Sequence, residues 1–313
     1  MAILKLQPAC RETIWGGQRL RKDYHMQYEG ANIAEAWMLS CHPSAPSMIE
    51  NGTYAGKTLQ QYLDAEGPQV LGSFGMLFHP FPILIKLIDA AQPLSIQVHP
   101  SNFYAINREH QYGKTEMWYV VDAEPGAFLY YGFRQQITRE EFARRIEDNT
   151  LPEVLNAVPV CKGDCFYIPS GTVHAIGKGI LIAEVQQNSD VTYRVYDYGR
   201  LSNGKPRELH IDKSIDVITV PAKSVADSVK SVADLPVNTL NELYVCKYFH
   251  IYKIEVSGKM TFEQNAPFMN MTVTEGNGIV NGQPVKKGDH FILPNGFGNV
   301  ELQGRMQIIA STI

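Results

Sequence analysis

The chain has 313 residues, 44% of them hydrophobic and 19% charged, so it is not disordered and can bury one large core or two smaller ones. Its formal net charge is −4, from 28 basic and 32 acidic residues, and no dense run of Lys or Arg occurs. The electrostatic pattern of a nucleic-acid-binding protein is therefore absent, and these values favour a small-molecule partner.

The compartment is predicted from three features. Residues 1–6 lack the basic segment, apolar block and cleavage site of a secretory signal. The longest apolar run, residues 81–88, contains Lys86 and is too short to cross a bilayer. The cysteines, at positions 10, 41, 161, 165 and 246, are odd in number and scattered, which argues against a disulfide framework. We expect a cytoplasmic protein with no membrane partner.

The predicted elements are mainly strands. Residues 81–88, 118–121, 127–131, 180–185 and 248–254 are rich in β-branched or aromatic side chains and are bounded by turn residues. Short helices are expected at 57–63, at about 104–108, and from a capping box at residues 138–141 through Phe142, Ile146 and Leu155. The sequence therefore predicts a mostly β protein with a few short helices.

A connector is expected at residues 223–236. The pentapeptide Lys-Ser-Val-Ala-Asp occurs there twice, at 223–227 and 230–234, in a segment of low aromatic content that ends at Pro236. Such a local duplication is more typical of a linker than of a core. We predict one domain at residues 1–222 and a second at 237–313.

A metal site is suggested by residues 97–100. Strand alternation places Gln97 and His99 on one face, where an amide oxygen and an imidazole can converge with Glu116 and His174. Each of these residues alone also has an ordinary structural explanation, such as a buried hydrogen bond or an ion pair.

An internal repeat spans the connector. Residues 162–174 match residues 287–299: in both, Lys-Gly-Asp opens a strand and Pro-x-Gly turns the chain out of it. The last position is His174 in the first copy and Asn299 in the second. We therefore expect two related β units, with the metal ligand in the first only.

The pattern Gly-x5-Pro-x-Gly-x2-His, from Gly163 to His174, resembles the second motif of the cupin superfamily. Gln97-x-His99 with Glu116 resembles the first motif, with Gln in place of one His. This resemblance implies two cupin units, each a jelly roll or double-stranded β-helix. The second unit would be degenerate and would carry no metal ligands.

The segments around these residues resemble type I phosphomannose isomerase in its short bacterial form, over most of residues 10–220. The matching segments are 34–37, 92–100, 113–118, 188–194 and 196–200. The resemblance implies one zinc ion per chain, bound by Gln97, His99, Glu116 and His174. Two imidazoles, a carboxylate and an amide oxygen suit a borderline divalent cation.

The implied reaction is interconversion of mannose 6-phosphate and fructose 6-phosphate through an enediol. The resemblance points to Lys114 as a base, to Arg194 as a group that stabilises the enediolate or the phosphate, and to Asp190 as a residue that orients Arg194. The proton carrier is open, since His99 or bound water can also serve. For the substrate phosphate the nearby candidates are Lys86, Ser95, Arg200, Lys205 and Arg207. We predict Lys86 and Ser95, because a Lys inside an apolar run needs a partner, whereas Lys205 and Arg207 lie in a Gly-rich loop where charge is usually solvated.

Two other functional hypotheses stay open on the sequence. One is a metal-containing cupin that binds a sugar or sugar phosphate without turnover, and the other is a cupin oxygenase that uses iron. Lys114 and Arg194 favour the isomerase over the binder, and Gln97 as a ligand disfavours iron. The sequence does not indicate the oligomeric state.

Overall fold

A computed structural model describes residues 3–75, 77–220, 224–226, 228–232 and 234–313. Its helices are short and lie between strands. Within the described residues they are α1 (Arg19–Lys22), α2 (Leu59–Glu66), α3 (Gly72–Gly75), α4 (Asn102–Arg108), α5 (Arg139–Glu147) and α6 (Ile211–Val217), with 3₁₀ turns at Pro68–Leu71 and Leu151–Val154.

Strands make up most of the regular structure, so the predicted mostly β fold is confirmed. In the described part of the chain they are β1 (Leu4–Gln7), β2 (Ala9–Arg11), β3 (Glu35–Leu39), β4 (Met48–Ile49), β5 (Ile83–Ala90), β6 (Ile96–Val98), β7 (Glu116–Ala123), β8 (Phe128–Phe133), β9 (Leu155–Pro159), β10 (Asp164–Ile168), β11 (His174–Ala175), β12 (Ile180–Gln187), β13 (Tyr193–Tyr196), β14 (Leu201–Ser202), β15 (Lys205–Pro206), β16 (Val229–Ser231), β17 (Asn241–Val245), β18 (His250–Gln264), β19 (Met269–Val280), β20 (Gln283–Lys286), β21 (His290–Leu293) and β22 (Gly298–Thr312).

The first unit is built from two antiparallel sheets. One has the strand order β16-β10-β7-β12-β5-β3-β2, and the other has the order β13-β6-β11-β8-β9. The central strands β5 and β12 are buried along their whole length, as expected for a strand covered on both faces. One face of the first sheet is turned towards the second sheet, and Trp118, Phe166 and Ile182 pack there.

The second unit is a larger antiparallel sheet with the order β17-β18-β22-β19-β21-β1-β4, to which β20 adds by pairing with β19. Its core is formed by alternate residues such as Met271, Phe291 and Ile308. The opposite face packs against the back of the first sheet in a shared apolar layer that includes Ile85 and Ile292. The second unit therefore supports the first sheet from behind.

The repeat predicted from the sequence has matching backbone geometry in both copies. Gly163 and Gly288 precede β10 and β21, and both have φ of 93°. Only glycine adopts this region without strain, so the shared Lys-Gly-Asp sequence encodes the same turn twice. The copies diverge at the end: His174 is buried in β11, whereas Asn299 is exposed in β22.

Two predicted helices differ from the expectation in detail. The helix expected at 57–63 begins at Leu59, with Thr58 as N-cap in a complete capping box with Gln61. In α5, Thr138 accepts a hydrogen bond from the Glu141 amide, but the Glu141 carboxylate binds Arg144 and Arg145 instead of the N-cap amide. The helix predicted at 104–108 is confirmed as α4.

The helical pattern expected to reach Leu155 was wrong at its end. Helix α5 stops at Glu147, and Asn149 follows with a positive φ of 56°. After the 3₁₀ turn, Leu155 begins β9 and pairs with Phe133. Leu155 is buried beside Phe142, so tertiary packing produced the apolar spacing that suggested a longer helix.

The predicted division at residues 223–236 stays a prediction. Residues 221–223, 227 and 233 lie outside the described residues. Between them, β16 pairs with β10 of the first unit. At the other end of the chain, β1 pairs with β21 of the second unit, with Leu6 opposite His290. Among the described residues, no helix is long and apolar enough to cross a membrane.

Candidate metal centre

Three buried side chains converge between the two sheets of the first unit. His99 follows β6, Glu116 opens β7 and His174 opens β11. One candidate ligand atom from each lies within 4.8 Å of the others, and all three residues are at most 1% exposed. Strand pairing builds this arrangement, because β11 places His174 directly opposite Gln97 of β6.

Backbone carbonyls fix the orientation of both imidazoles. His99 Nδ1 lies 2.9 Å from the Val191 oxygen, and His174 Nδ1 lies 2.9 Å from the Thr172 oxygen. Because a carbonyl only accepts, each Nδ1 carries a hydrogen, and each Nε2 is the nitrogen left to bind a metal. His174 Nε2 is 3.1 Å from Glu116 Oε1, and His99 Nε2 is 3.7 Å from Glu116 Oε2.

The charge state of the cluster suits a cation. Burial favours the neutral form of Glu116, but Lys114 and the two imidazoles hold the pKa of the carboxyl well below its usual value. Burial, with Lys114 nearby, also lowers the pKa of His99 well below the ordinary value. Glu116 is therefore ionised and His99 is neutral, as metal ligands must be.

Unsatisfied atoms at the same point support this fit. Among the described residues, His174 Nε2 and both Glu116 oxygens lack a hydrogen bond of good geometry. A buried polar atom left unpaired costs about 1–3 kcal/mol, so a partner for these atoms is strongly favoured. Two imidazole nitrogens and a carboxylate are a frequent ligand set for zinc.

Two further residues connect the cluster to an open cavity. Gln97 pairs with His174 on one side and Arg194 on the other, and its side chain lines the cavity. Lys114 is 5% exposed, and its Nζ lies 2.9 Å from Glu116 Oε2 and 3.1 Å from His99 Nε2. Because Lys114 also lines the cavity, the metal ligands lie immediately behind the cavity wall.

The cavity has a volume of about 360 Å³ and a largely polar lining. It brings together six of the nine side chains predicted for the site: Lys86, Ser95, Gln97, Lys114, Asp190 and Arg194. The remaining three are the buried ligands His99, Glu116 and His174, which Lys114 contacts directly or through Glu116.

A row of charged and aromatic side chains forms one wall. Strand register places Trp37, Lys86, Glu184 and Trp118 next to one another across β3, β5, β12 and β7. Trp37 Nε1 donates to Glu35 at 2.6 Å, and Trp118 Nε1 donates to Glu184 at 2.8 Å. Both carboxylates therefore have fixed positions.

Lys86 is buried between these carboxylates. Its Nζ is 3.3 Å from Glu184 and 3.8 Å from Glu35. Burial opposes its charge, but the two carboxylates raise the pKa of Lys86, and Lys86 in turn helps to hold the pKa of Glu35 below its usual value. Burial instead raises the pKa of Glu184. The positive charge of Lys86 is matched within the wall itself.

The opposite side of the cavity carries arginine side chains whose positive charge is not fully paired with carboxylates. Arg194 donates from Nε to Ser95 Oγ at 3.3 Å and from NH1 to the Glu208 carbonyl at 2.8 Å. Burial and the neighbouring Arg207 lower the pKa of Arg194, which indicates crowded positive charge. Arg207 also lines the cavity, so two guanidinium groups face it there.

Asp197 holds the arginines of this region. It accepts from Arg207 Nε at 2.7 Å and NH2 at 2.5 Å, and from Arg200 NH2 at 2.5 Å. Burial favours the neutral form of Asp197, but these bonds keep the pKa of the carboxyl below its usual value. The single negative charge of Asp197 therefore balances only one of the two positive charges of Arg200 and Arg207.

Asp190 has partners other than the one expected. It accepts from Gln111 Nε2 at 3.0 Å and lies 3.6 Å from His42 Nε2. No ion pair joins it to Arg194 among the residues that the structure describes. Its role in orienting Arg194 stays a prediction.

Sequence reasoning missed Glu184 and Asp197 as members of the site, and it placed Arg207 among the phosphate candidates but behind Lys86 and Ser95. Glu184 lies inside the apolar run 180–185, the same signal that identified Lys86 in its own strand. Arg207 lies in a Gly-rich segment, where a charge is ordinarily solvated, which is why Lys86 and Ser95 were preferred to it.

Comparison with known proteins gives matches in two parts of the chain. Residues 3–124 match the profile of the phosphomannose isomerase type I catalytic domain, and residues 239–313 match that of the mannose-6-phosphate isomerase cupin domain. The chain is 40% identical to a mannose-6-phosphate isomerase of Streptococcus mutans, over 98% of this chain and 97% of that protein.

Two solved structures extend the comparison. A crystal structure of the mannose 6-phosphate isomerase from Bacillus subtilis matches with a TM-score of 0.89 and 36% identity, covering 100% of both chains. A mannose 6-phosphate isomerase structure bound with zinc and yttrium matches with a TM-score of 0.77 and 18% identity, covering 100% of this chain and 99% of that one. At that identity the second match bears on the fold alone.

Proposed function

Since the chain belongs to the type I phosphomannose isomerase family, we propose that its buried His99, Glu116 and His174 form the zinc centre, with Gln97 as fourth ligand. The chain interconverts mannose 6-phosphate and fructose 6-phosphate. The observation that carries the metal assignment is the convergence of two imidazole nitrogens on an ionised carboxylate.

Zinc is favoured over harder cations by this ligand set. Magnesium and calcium prefer oxygen ligands throughout, whereas two of the ligands here are imidazole nitrogens. A zinc ion bound at this point supplies a Lewis acid that stabilises negative charge developing on a substrate oxygen. Gln97 is suited to complete the set because its side chain reaches the cavity from the strand position opposite His174.

Lys114 is our proposed proton carrier. Isomerisation moves a proton between C2 and C1 of the open-chain sugar, so a group that can both accept and return a proton must face those carbons. Lys114 lines the cavity and adjoins the metal ligands, where a carbonyl oxygen would be held. In its neutral form the amine takes the proton from one carbon and then returns it to the other.

The substrate phosphate is assigned to the end of the cavity where Arg194, Arg207 and Ser95 meet. Guanidinium groups bind phosphate through paired hydrogen bonds, and this is the region of unmatched positive charge. Asp197 acts as a positioning residue because it fixes Arg207 through two short hydrogen bonds.

Lys86 is assigned to the sugar hydroxyls and not to the phosphate. Its charge is already matched by Glu35 and Glu184, so a dianion beside it would also meet two carboxylates. The wall they form offers both donors and acceptors, which is the chemistry that a chain of hydroxyl groups requires.

A coupled assay of mannose 6-phosphate isomerisation tests this proposal. Protein loaded with zinc should turn over, lose activity on chelation and regain it when zinc is restored. Turnover that survives complete removal of the metal would contradict the zinc assignment. Absence of turnover with zinc restored would leave a cupin that only binds the sugar phosphate.

A further inference from the structure

Arg194 is fastened by the segment 207–210, which also carries Arg207 into the active-site cavity. Arg194 NH1 donates to the Glu208 carbonyl at 2.8 Å, and its backbone amide donates to His210 Nδ1 at 3.2 Å. The His210 amide donates in return to the Arg194 carbonyl at 2.8 Å. This segment therefore holds both the backbone and the guanidinium group of Arg194.

The hydrogen bond from the Arg194 amide determines which form of His210 can make it. A backbone N–H only donates, so Nδ1 of His210 must be unprotonated, and the ring hydrogen of the neutral imidazole lies on Nε2. His99 and His174 have the opposite arrangement, since their Nδ1 atoms donate to carbonyl oxygens. His210 therefore accepts the bond from Arg194 only in its neutral form.

A second proton on His210 removes this acceptor. Two N–H groups, those of Nδ1 and of the Arg194 amide, then face each other, and a partly buried N–H without an acceptor is unfavourable. The Glu208 carbonyl belongs to the same segment, so a displacement of His210 also disturbs the bond that holds the guanidinium group. The added charge does not itself face the substrate, because His210 is not among the described side chains that line the cavity.

The surroundings of His210 keep it neutral at neutral pH. The titratable and charged groups that face it come from β13, from α6, from the C-terminus of α4 and from the segment itself: Tyr193, Arg194, Lys213, Glu109 and Glu208. Burial is the largest influence and lowers the pKa of His210 below its usual value; the two cations act in the same direction, and the two carboxylates oppose them. His210 therefore takes up a proton only on the acid side of its ordinary range.

We propose that His210 is a positioning residue for Arg194, and that it holds the guanidinium group in place for the substrate phosphate only while its Nδ1 is unprotonated. As the pH falls, protonation of His210 loosens Arg194 and weakens the binding of the phosphate. This inference rests on the proposed assignment of the phosphate to Arg194 and Arg207. It adds a residue outside the cavity whose protonation limits substrate binding in acid.

Two substitutions of His210 in the full-length, zinc-loaded protein test this role. In His210→Asn an acceptor oxygen is attached to Cγ, as Nδ1 is, but it does not titrate, whereas His210→Leu has no acceptor at any pH. KM for mannose 6-phosphate and the Kd of inorganic phosphate are measured from pH 8 to pH 5, with bound zinc determined at each pH. At pH 8, His210→Asn should match the unmodified protein within about twofold, and His210→Leu should bind both ligands about threefold or more weakly, with a smaller change in kcat.

The decisive comparison is made at pH 5. The unmodified protein should there bind phosphate about threefold or more weakly than His210→Asn, and comparison at one pH cancels the titration of the phosphate itself. The matched control is His25→Asn, at an exposed histidine with φ of 55°, a conformation that Asn also tolerates. It should keep the pH profile of the unmodified protein. Parallel profiles of the unmodified protein and His210→Asn would overturn the proposal even if His210→Leu failed to fold.

Arg194→Gln separates this inference from the phosphate assignment. By calorimetry it should weaken inorganic phosphate at every pH, and His210→Leu should then cause no further loss, because His210 acts through Arg194. An unchanged affinity for phosphate in Arg194→Gln would overturn the phosphate assignment, and this inference with it. If Arg194→Gln weakened phosphate but His210→Leu caused the same loss with and without Arg194, the positioning role alone would be refuted.

Discussion

Lys114 is the residue on which the proposed proton transfer depends. Replacing it by Met removes the amine and keeps the apolar stem, so zinc-loaded Lys114→Met should lose about 10²- to 10⁴-fold in kcat. Its bound zinc should stay near one per chain, because the imidazoles and Glu116 are unchanged. Steady-state kinetics with metal analysis measures both quantities.

The control for this variant is Lys178→Met, at an exposed Lys of the same unit. It should keep the kcat of the unmodified protein. If Lys114→Met retained kcat within about threefold, another group, such as His99 or a water molecule, would have to carry the proton.

Asp197 tests the phosphate assignment. Asp197→Asn keeps the shape of the side chain but removes the charge that anchors Arg207 and Arg200. We expect KM for mannose 6-phosphate to rise about tenfold or more with a smaller change in kcat, because the lost interaction positions the phosphate in both ground and transition states. A fall in kcat at unchanged KM would contradict this role, and Asp148→Asn, at the exposed C-cap of α5, is the matched control.

At the scale of residues, the sequence predicted individual side chains better than their partners. A Lys within the apolar run 81–88 indicated a buried charge, and Lys86 is buried. Its partners Glu35 and Glu184 depend on strand register between distant segments, which local pattern does not encode. The same limit explains why Asp197 was not recognised as part of the site and why Lys86 was preferred to Arg207 for the phosphate.

At the scale of single elements, the stability of helix α5 should depend on its N-cap residue, Thr138. Thr138→Ala removes the hydrogen bond to the Glu141 amide and should lower the free energy of unfolding by about 1 kcal/mol. Glu141→Ala should cost less, since it removes ion pairs on the solvent-exposed face. Urea unfolding measures both. A loss for Glu141→Ala equal to that for Thr138→Ala would indicate the reciprocal capping box that the structure lacks.

Elements were predictable where a local signal determined them. The capping residue Thr138 marked the start of α5, because an N-cap side chain bonds to the turn that follows it. The helix expected at 57–63 begins within about two residues of its predicted start. The end of α5 was not predictable in this way. The apolar pattern continued to Leu155, whose burial comes from β9, and periodicity alone does not separate these two causes.

At the scale of the whole molecule, the two units share one apolar layer, and His290 lies within it. His290 is 1% exposed, Thr272 bonds its Nδ1 at 2.8 Å, and burial lowers its pKa to about 3. In the unfolded chain a histidine has a pKa of about 6.5, so the unfolded state binds more protons between these values. The contribution of His290 to stability is therefore present above pH 6.5 and is lost as the pH falls towards 3.

The expected effect is measurable by urea unfolding at two pH values. Between pH 7.5 and pH 4.5 the protein should lose roughly 2–3 kcal/mol more stability than His290→Gln, which has no titrating group at this position. His110→Gln, at an exposed histidine, should behave like the unmodified protein. An equal pH dependence in the protein and in His290→Gln would contradict the assignment.

The presence of two related β units was predictable from the repeat. The pairing of strands that are distant in the sequence was not. Residues 162–174 and 287–299 encode the same turn and strand twice, and both copies are present. No local pattern indicated that β1 pairs with β21, because the residues of a short strand do not specify a partner that is distant in the sequence. The strands β1 and β4 thus belong to the sheet of the second unit, whereas β2 and β3, which lie between them in the sequence, belong to the first.

Metal content of two paired variants tests the central claim that the metal lies in the first unit, at His99, Glu116 and His174. His174 and Asn299 occupy the same position in the two copies of the repeat. His174→Ala should reduce bound zinc from one per chain to near zero, whereas Asn299→Ala should leave it unchanged, with both variants folded by circular dichroism. Zinc retained by His174→Ala, or lost equally from both variants, would contradict the account.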